Sequence, residues 1–242
     1  MRALFPLQQK LVCFLLLFVI FLSHLYAFEV NITGKELGVD IKPEFNRSFY
    51  FCYDISFFGS LEINKYINLE SGIAMGRTGK VFDIDLFVKG GFDLPLPVPL
   101  SFNLLYMYNG TPDYLTHIHT ALPLLALKGQ WAGISVGTTL RSTIFDQESA
   151  ILEPILALSV FVNFYQTEKM KFGLEAANFD NFHAGNMGSY FLKFYSLIHF
   201  AIGGTSQRLS VINEIRIEQT GSVGLDANFY GVAYRGGVVY KW

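Results

Sequence analysis

FYFCYDISFFGSLEIN, residues Phe49–Asn64, is the stretch whose reading decides the fold. Its odd positions are Phe49, Phe51, Tyr53, Ile55, Phe57, Gly59, Leu61 and Ile63; its even positions are Tyr50, Cys52, Asp54, Ser56, Phe58, Ser60, Glu62 and Asn64. Side chains on a strand alternate between two faces, so period two puts an apolar, aromatic set on one side and both carboxylates on the other. The split returns at Val81–Leu94, where Phe82, Ile84, Leu86, Val88, Phe92 and Leu94 share one face and Asp83, Asp85, Lys89 and Asp93 the other. Helical spacing would mix these classes by setting Asp83 beside Leu86. Both stretches read as strands.

Extended outward, the pattern gives about twelve strands, within a range of about ten to fourteen. They run near 35–45, 49–63, 66–77, 81–94, 100–110, 114–127, 131–145, 150–166, 170–182, 188–202, 208–220 and 223–242. Most meet the ~9–11 residues that a tilted strand needs to cross a bilayer. All the connections are short, and one alternate set lies at 64–65, 95–99, 128–130, 167–169 and 203–207. The other lies at 46–48, 78–79, 110–113, 146–149, 183–186 and 221–222. Five turns facing six loops suit an even-stranded barrel with both termini at one end.

The first residues point to export. Arg2 and Lys10 flank a start that leads into the apolar run Leu11–Leu22, and Ala27 supplies a small residue before Phe28. Charge, apolar run and small residue in that order describe a secretory signal peptide, expected to span residues 1–27 and to be cleaved. The mature part, 28–242, then forms one domain with a lone cysteine, Cys52, so no disulfide closes within it. A net charge of −2 excludes an electrostatic footprint for nucleic acid.

The chain is 51% hydrophobic and 16% aromatic, yet the mature part has no apolar run long enough for a spanning helix. The apolar groups must therefore be buried in a soluble core or face lipid. The polar faces decide between them. Glu70, Gly72, Ala74 and Gly76 share one side of a strand, and Gly133, Ser135, Gly137 and Thr139 another. Such small side chains suit a lumen, while the opposite faces carry large apolar residues, with aromatics near strand ends as at membrane interfaces. The predicted fold class is all-β: a single antiparallel transmembrane barrel in the outer membrane, in contact with outer-membrane lipid.

At the C-terminus, Tyr230, Val232, Tyr234, Val238, Tyr240 and Trp242 alternate with Gly231, Ala233, Arg235, Gly237 and Lys241. This strand with a terminal aromatic resembles the β-signal read by the outer-membrane assembly machinery, although Gly236 stands where an apolar residue is usual. The resemblance implies that Tyr234, Val238, Tyr240 and Trp242 contact that machinery during insertion. As a whole the chain resembles small outer-membrane proteins of diderm bacteria, spirochaetes among them.

Sequence offers three chemical features. Predicted inward charges include Asp54, Glu62, Glu70, Asp83, Asp85, Lys89, Arg141, Lys193, Glu214, Arg216 and Arg235, with acids slightly ahead. These either line a water path or pair across and fill it. His117 and His119, two apart and expected to face the lumen, form a His-x-His pair able to ligate zinc or copper, with no third ligand evident. The stretch Asn178–His183 with Ser189 offers a serine and a histidine near one barrel end, as in lipid A deacylases and the outer-membrane phospholipase, whose motifs are not matched in full. No catalytic, metal or cofactor set is assigned, and no phosphate loop is present. Three readings follow: a channel or uptake barrel for small polar solutes, a lipid-modifying hydrolase, or a non-conducting structural or surface-interaction barrel.

Overall fold

The computed structural model describes residues 32–46, 51–63, 66–78, 81–145, 148–184, 189–202, 207–220 and 228–242. The expected signal peptide and the expected connections at 47–48, 64–65, 79, 146–147, 185–186, 203–206 and 221–222 lie outside them. Twelve strands close into an antiparallel barrel. They are β1 (Ile32–Asn46), β2 (Phe51–Ile63), β3 (Ile67–Thr78), β4 (Val81–Asp93), β5 (Leu100–Thr111), β6 (Thr116–Lys128), β7 (Ala132–Phe145), β8 (Glu148–Gln166), β9 (Met170–Ala177), β10 (Ser189–Ala201), β11 (Arg208–Thr220) and β12 (Asn228–Lys241). Each strand pairs with its sequence neighbours, and β12 returns to β1 with Glu36 opposite Lys241. Lys35 and Trp242 exchange both backbone hydrogen bonds, at 3.2 and 3.0 Å, as the last rung of that closing ladder. Closure leaves no edge, so the backbone groups of the wall are satisfied without water.

The outer surface is apolar and banded. At the end where β1 begins and β12 finishes it exposes Phe92, Phe102, Trp131, Phe164 and Trp242; at the opposite end Phe45, Phe51, Phe82 and Phe145. Between these two girdles lie aliphatic side chains such as Ile55, Val88, Val136, Leu158 and Ile215. Hydrocarbon between aromatic belts is the profile that a bilayer selects. Tyr234, Val238 and Trp242 are exposed on this surface, and Tyr240 stacks on Trp242 at 5.4 Å.

Two expectations change. β9 ends at Ala177, not at 182. The Asp180 carboxylate accepts the backbone N–H groups of Phe182 and His183, both at 2.7 Å, and Phe179 bridges to Ala184. An aspartate turn of this kind competes with the ladder and bends the chain away from the wall. Asn178 fills the vacated place, donating to Leu156 O at 2.7 Å and accepting from Leu158 N at 2.9 Å.

The second correction concerns His117 and His119. On β6 it is Thr120, Leu122, Leu124 and Ala126 that are buried inside. The histidines therefore face outward, where His117 Nδ1 meets Tyr108 OH and His119 Nδ1 meets Tyr106 OH, each at 2.8 Å. Both faces of β5 and β6 are apolar, so polarity alone does not set their phase.

Candidate functional site: a charged lumen narrowed by the β9–β10 segment

The lumen wall is built by alternation. Small residues at Gly72, Ala74, Gly76, Gly133 and Ser135 leave room for long charged side chains from neighbouring strands. Gly72 does more: a β-carbon there would lie 2.5 Å from the Phe87 ring and 2.9 Å from Phe57 O, so its absence lets that ring lie against the wall.

Those charges pair mostly between adjacent strands. Lys42 meets Asp54 at 3.0 Å, Lys89 meets Glu70 at 3.0 Å, and Lys193 meets Glu175 at 2.6 Å and Glu214 at 3.8 Å. Arg235 meets Asp40 at 2.5 Å and Glu214 at 3.7 Å, and Lys241 meets Glu36 and Glu62, each at 3.1 Å. Asp83 accepts from Thr111 at 3.1 Å and Asp85 from Asn109 at 2.9 Å. Of the charges named from the sequence, Asp54, Asp83, Asp85, Lys89, Arg141, Lys193, Glu214, Arg216 and Arg235 border two inner cavities, and Glu62 and Glu70 pair with Lys241 and Lys89. Such pairs hold the side chains against the wall and neutralise their charge there. Asp40, Lys42, Glu36 and Glu44 belong to the same system, and their signal was the alternation with Leu37, Val39 and Ile41 on β1.

Across this wall folds the segment Asn178–Ala184. Phe182 packs edge-on against Phe87 with ring centroids 4.9 Å apart. With Phe179 and Ala184 it covers an inward apolar patch of Phe87, Leu105, Met107, Leu122, Leu124 and Ala157. Three wall side chains hold the segment: Arg216 binds the Asp180 carboxylate, Arg141 donates to Ala184 O, and Asn109 donates to Phe182 O at 2.6 Å. Arg216 also lies over the Phe191 ring at 3.8 Å and meets Glu218 at 2.8 Å. His183 stands 3.9 Å from Asp85 and 4.0 Å from Asp180, inside the barrel.

Burial alone would raise the Asp180 carboxyl, but Arg216 foremost, then His183, Lys42 and the Phe182 N–H, hold it well below the usual carboxylate range. The sign of its effect follows. Against an unfolded value near ~3.9, the contribution of this contact is full above that value and drains as pH falls through the depressed one. The segment should therefore stay docked through mildly acidic buffer and release only in strong acid. A spin label at Asn181 should stay immobilised at pH ~5 and gain mobility only well below ~3.9; mobility already at pH ~5 would mean that this contact does not hold it.

Two cavities flank the segment. One of about 600 Å³ lies toward the loop end, and its charged lining is Glu44, Asp54, Asp83, Asp85 and Glu218 against Lys42, Arg141 and Arg216. The other, about 240 Å³, lies toward the terminal end and is balanced: Asp40, Asp54, Asp85, Glu175, Asp180 and Glu214 against Lys42, Lys89, Lys128, Lys193, Arg216 and Arg235. The cavities share Lys42, Asp54, Asp85, His183 and Arg216 in their walls. Ser189 lines the larger cavity with His183, on the luminal side. Among the described residues no group of three or more histidine, cysteine and acidic side chains is placed to hold a metal ion.

No protein-family model and no curated protein matches the sequence. Solved structures do resemble the fold. The KdgM porin in complex with disordered oligogalacturonate aligns with TM-score 0.50 at 9% identity, over 84% of this chain and 98% of that one. The translocator domain of the autotransporter NalP from Neisseria meningitidis aligns at 0.48 and 12% identity, over 88% and 90%. The outer membrane phospholipase A from Escherichia coli aligns at 0.44 and 10%, over 87% and 93%. At these identities the likeness to the KdgM porin speaks for architecture alone, and the chain has the fold of an outer-membrane β-barrel.

Proposed function

We propose that this protein is an outer-membrane channel that passes small polar solutes through a charged lumen narrowed by Phe179–Ala184. The observation that carries the reading is the pair of charge-lined cavities, about 600 and 240 Å³, that meet around the inward segment at Lys42, Asp54, Asp85, His183 and Arg216. The wall pairs hold charges aside along a water path, and the excess of carboxylates over cations in the larger cavity biases entry toward cations. In this reading residues 1–27 direct export and are removed, the loop end faces outward, and Tyr234, Val238, Tyr240 and Trp242 serve assembly.

The hydrolase reading is weaker. A lipid substrate reaches a barrel enzyme from the hydrocarbon side, whereas His183 lies in the lumen between Asp85 and Asp180. A structural barrel without conduction would show the same fold but no current.

The test is planar-bilayer recording of the refolded mature chain under a salt gradient. Discrete small steps with a reversal potential of cationic sign are expected, and Asp83→Asn with Asp85→Asn should move that potential toward zero. A folded barrel that passes no current would overturn the channel.

A further inference from the structure

The inner wall is not polar throughout. Where β4, β5, β6 and β8 turn inward they present Phe87, Leu105, Met107, Leu122, Leu124 and Ala157, each at most 5% exposed. An apolar patch facing a water-filled lumen is unfavourable unless something covers it. Here the cover is the chain itself, and its chemistry is informative. Phe182 gives the patch an aryl ring, set edge-on to Phe87 at 4.9 Å. Two residues earlier, Asp180 gives Arg216 a carboxylate. The carbonyl of Phe182 accepts from Asn109 at 2.6 Å, and the carbonyl of Ala184 accepts from Arg141. The wall thus holds an apolar body and a carboxylate at fixed separation, with neutral oxygens beside them.

We infer that this recess is a binding site for amphipathic monocarboxylates, an aryl or short acyl group bearing one carboxylate, and that Phe179–Ala184 occupies it in their absence. The inference deepens the channel reading and takes from it only that solutes enter the lumen. An arriving carboxylate replaces Asp180 on Arg216 while its apolar body replaces Phe182 on Phe87. Neutral or cationic analogues satisfy the patch but leave the Nη1 side of the guanidinium, which Asp180 occupied, unpaired beside Glu218, a mismatch that costs more than the missing contact itself. Self-occupation also weakens the apparent affinity, because only the fraction of barrels with the segment undocked is competent. The cavities on either side give the solute entry and exit without rearrangement of the barrel wall.

Calorimetric titration of the refolded mature barrel in micelles tests this, with 3-phenylpropionate as ligand and 3-phenylpropanol and 3-phenylpropylamine as controls. Empty micelles correct for partitioning. The carboxylate should bind saturably at one site and the controls should not. Asp180→Asn, which loosens the segment while leaving Arg216 in place, should bind about tenfold more tightly, and Phe182→Ala should move the same way. Equal behaviour of the three compounds would overturn the site, as would absence of saturable binding to both variants. Bilayer recordings on the same preparations separate the two readings. Barrels that conduct but do not bind 3-phenylpropionate remove the site and keep the channel; barrels that bind it but stay silent keep the site and remove the channel.

Discussion

Replacing Phe179, Asp180 and Phe182 together by glycine, serine and glycine should raise single-channel conductance several-fold and weaken cation preference. The three residues supply the rings and the carboxylate that keep the β9–β10 segment across the lumen. None of them belongs to a barrel strand, so wall hydrogen bonding and outer surface are unchanged and the variant should fold as well as the parent. Left with only the backbone-carbonyl contacts to Asn109 and Arg141, the segment moves aside and the two cavities merge. The merged path is wider, and resistance falls steeply with bore because ions keep more of their hydration shell. Selectivity should fall with it, since charges farther from the passing ion act through more water and salt. A variant with the parent's conductance would show that the constriction lies elsewhere in the barrel.

The second large effect concerns the outer surface. Val136 lies in the aliphatic band between the aromatic girdles, opposite Leu125 and Leu158 in the two adjoining ladders. Val136→Arg should lower the stability of the folded barrel by about 2–4 kcal/mol, the cost of a cation near the bilayer midplane. Ser135, one residue away, lines the smaller cavity. Ser135→Lys places the same charge in a wetted, acid-containing lumen and should cost less than about 1 kcal/mol. Reversible urea unfolding in short-chain lipid vesicles reads both. Equal costs at the two positions would mean that the banded surface does not face hydrocarbon.

That alternation was legible in β2 and β4, where polar and apolar residues separate cleanly between faces. In β5 and β6 it was not. Leu104, Leu105, Tyr106 and Met107 follow one another, as do Leu124, Leu125, Ala126 and Leu127, so either phase satisfies a half-apolar strand. The true phase is set by contacts far along the chain: Phe179 and Phe182 turn one of two apolar faces into an interior. Without those distant contacts, sequence alone points His117 and His119 toward the lumen. The sequence extends β9 into the segment because Ala177, Asn178, Phe179 and Asp180 continue an alternating pattern. What breaks it is the turn chemistry of Asp180, whose carboxylate captures two backbone N–H groups. The residues Asn178, Asp180 and Asn181 carried that signal locally, but the guanidinium that draws the turn inward is 36 residues away. Inward charges were easier to place, because a charge excluded from hydrocarbon has only the lumen left.

The rung between Lys35 and Trp242 makes the strand order a circle. A circle has no privileged start, so the same wall can be encoded from other origins. Joining Trp242 to Lys35 by a short linker and opening the chain in the 129–131 turn would give a permuted gene whose product repeats every ladder. In that product the terminal aromatic strand becomes internal. The rung would survive as geometry while the free C-terminus moved to β6, so the closing hydrogen bonds and the chain end, which coincide at Trp242, would be carried by different residues.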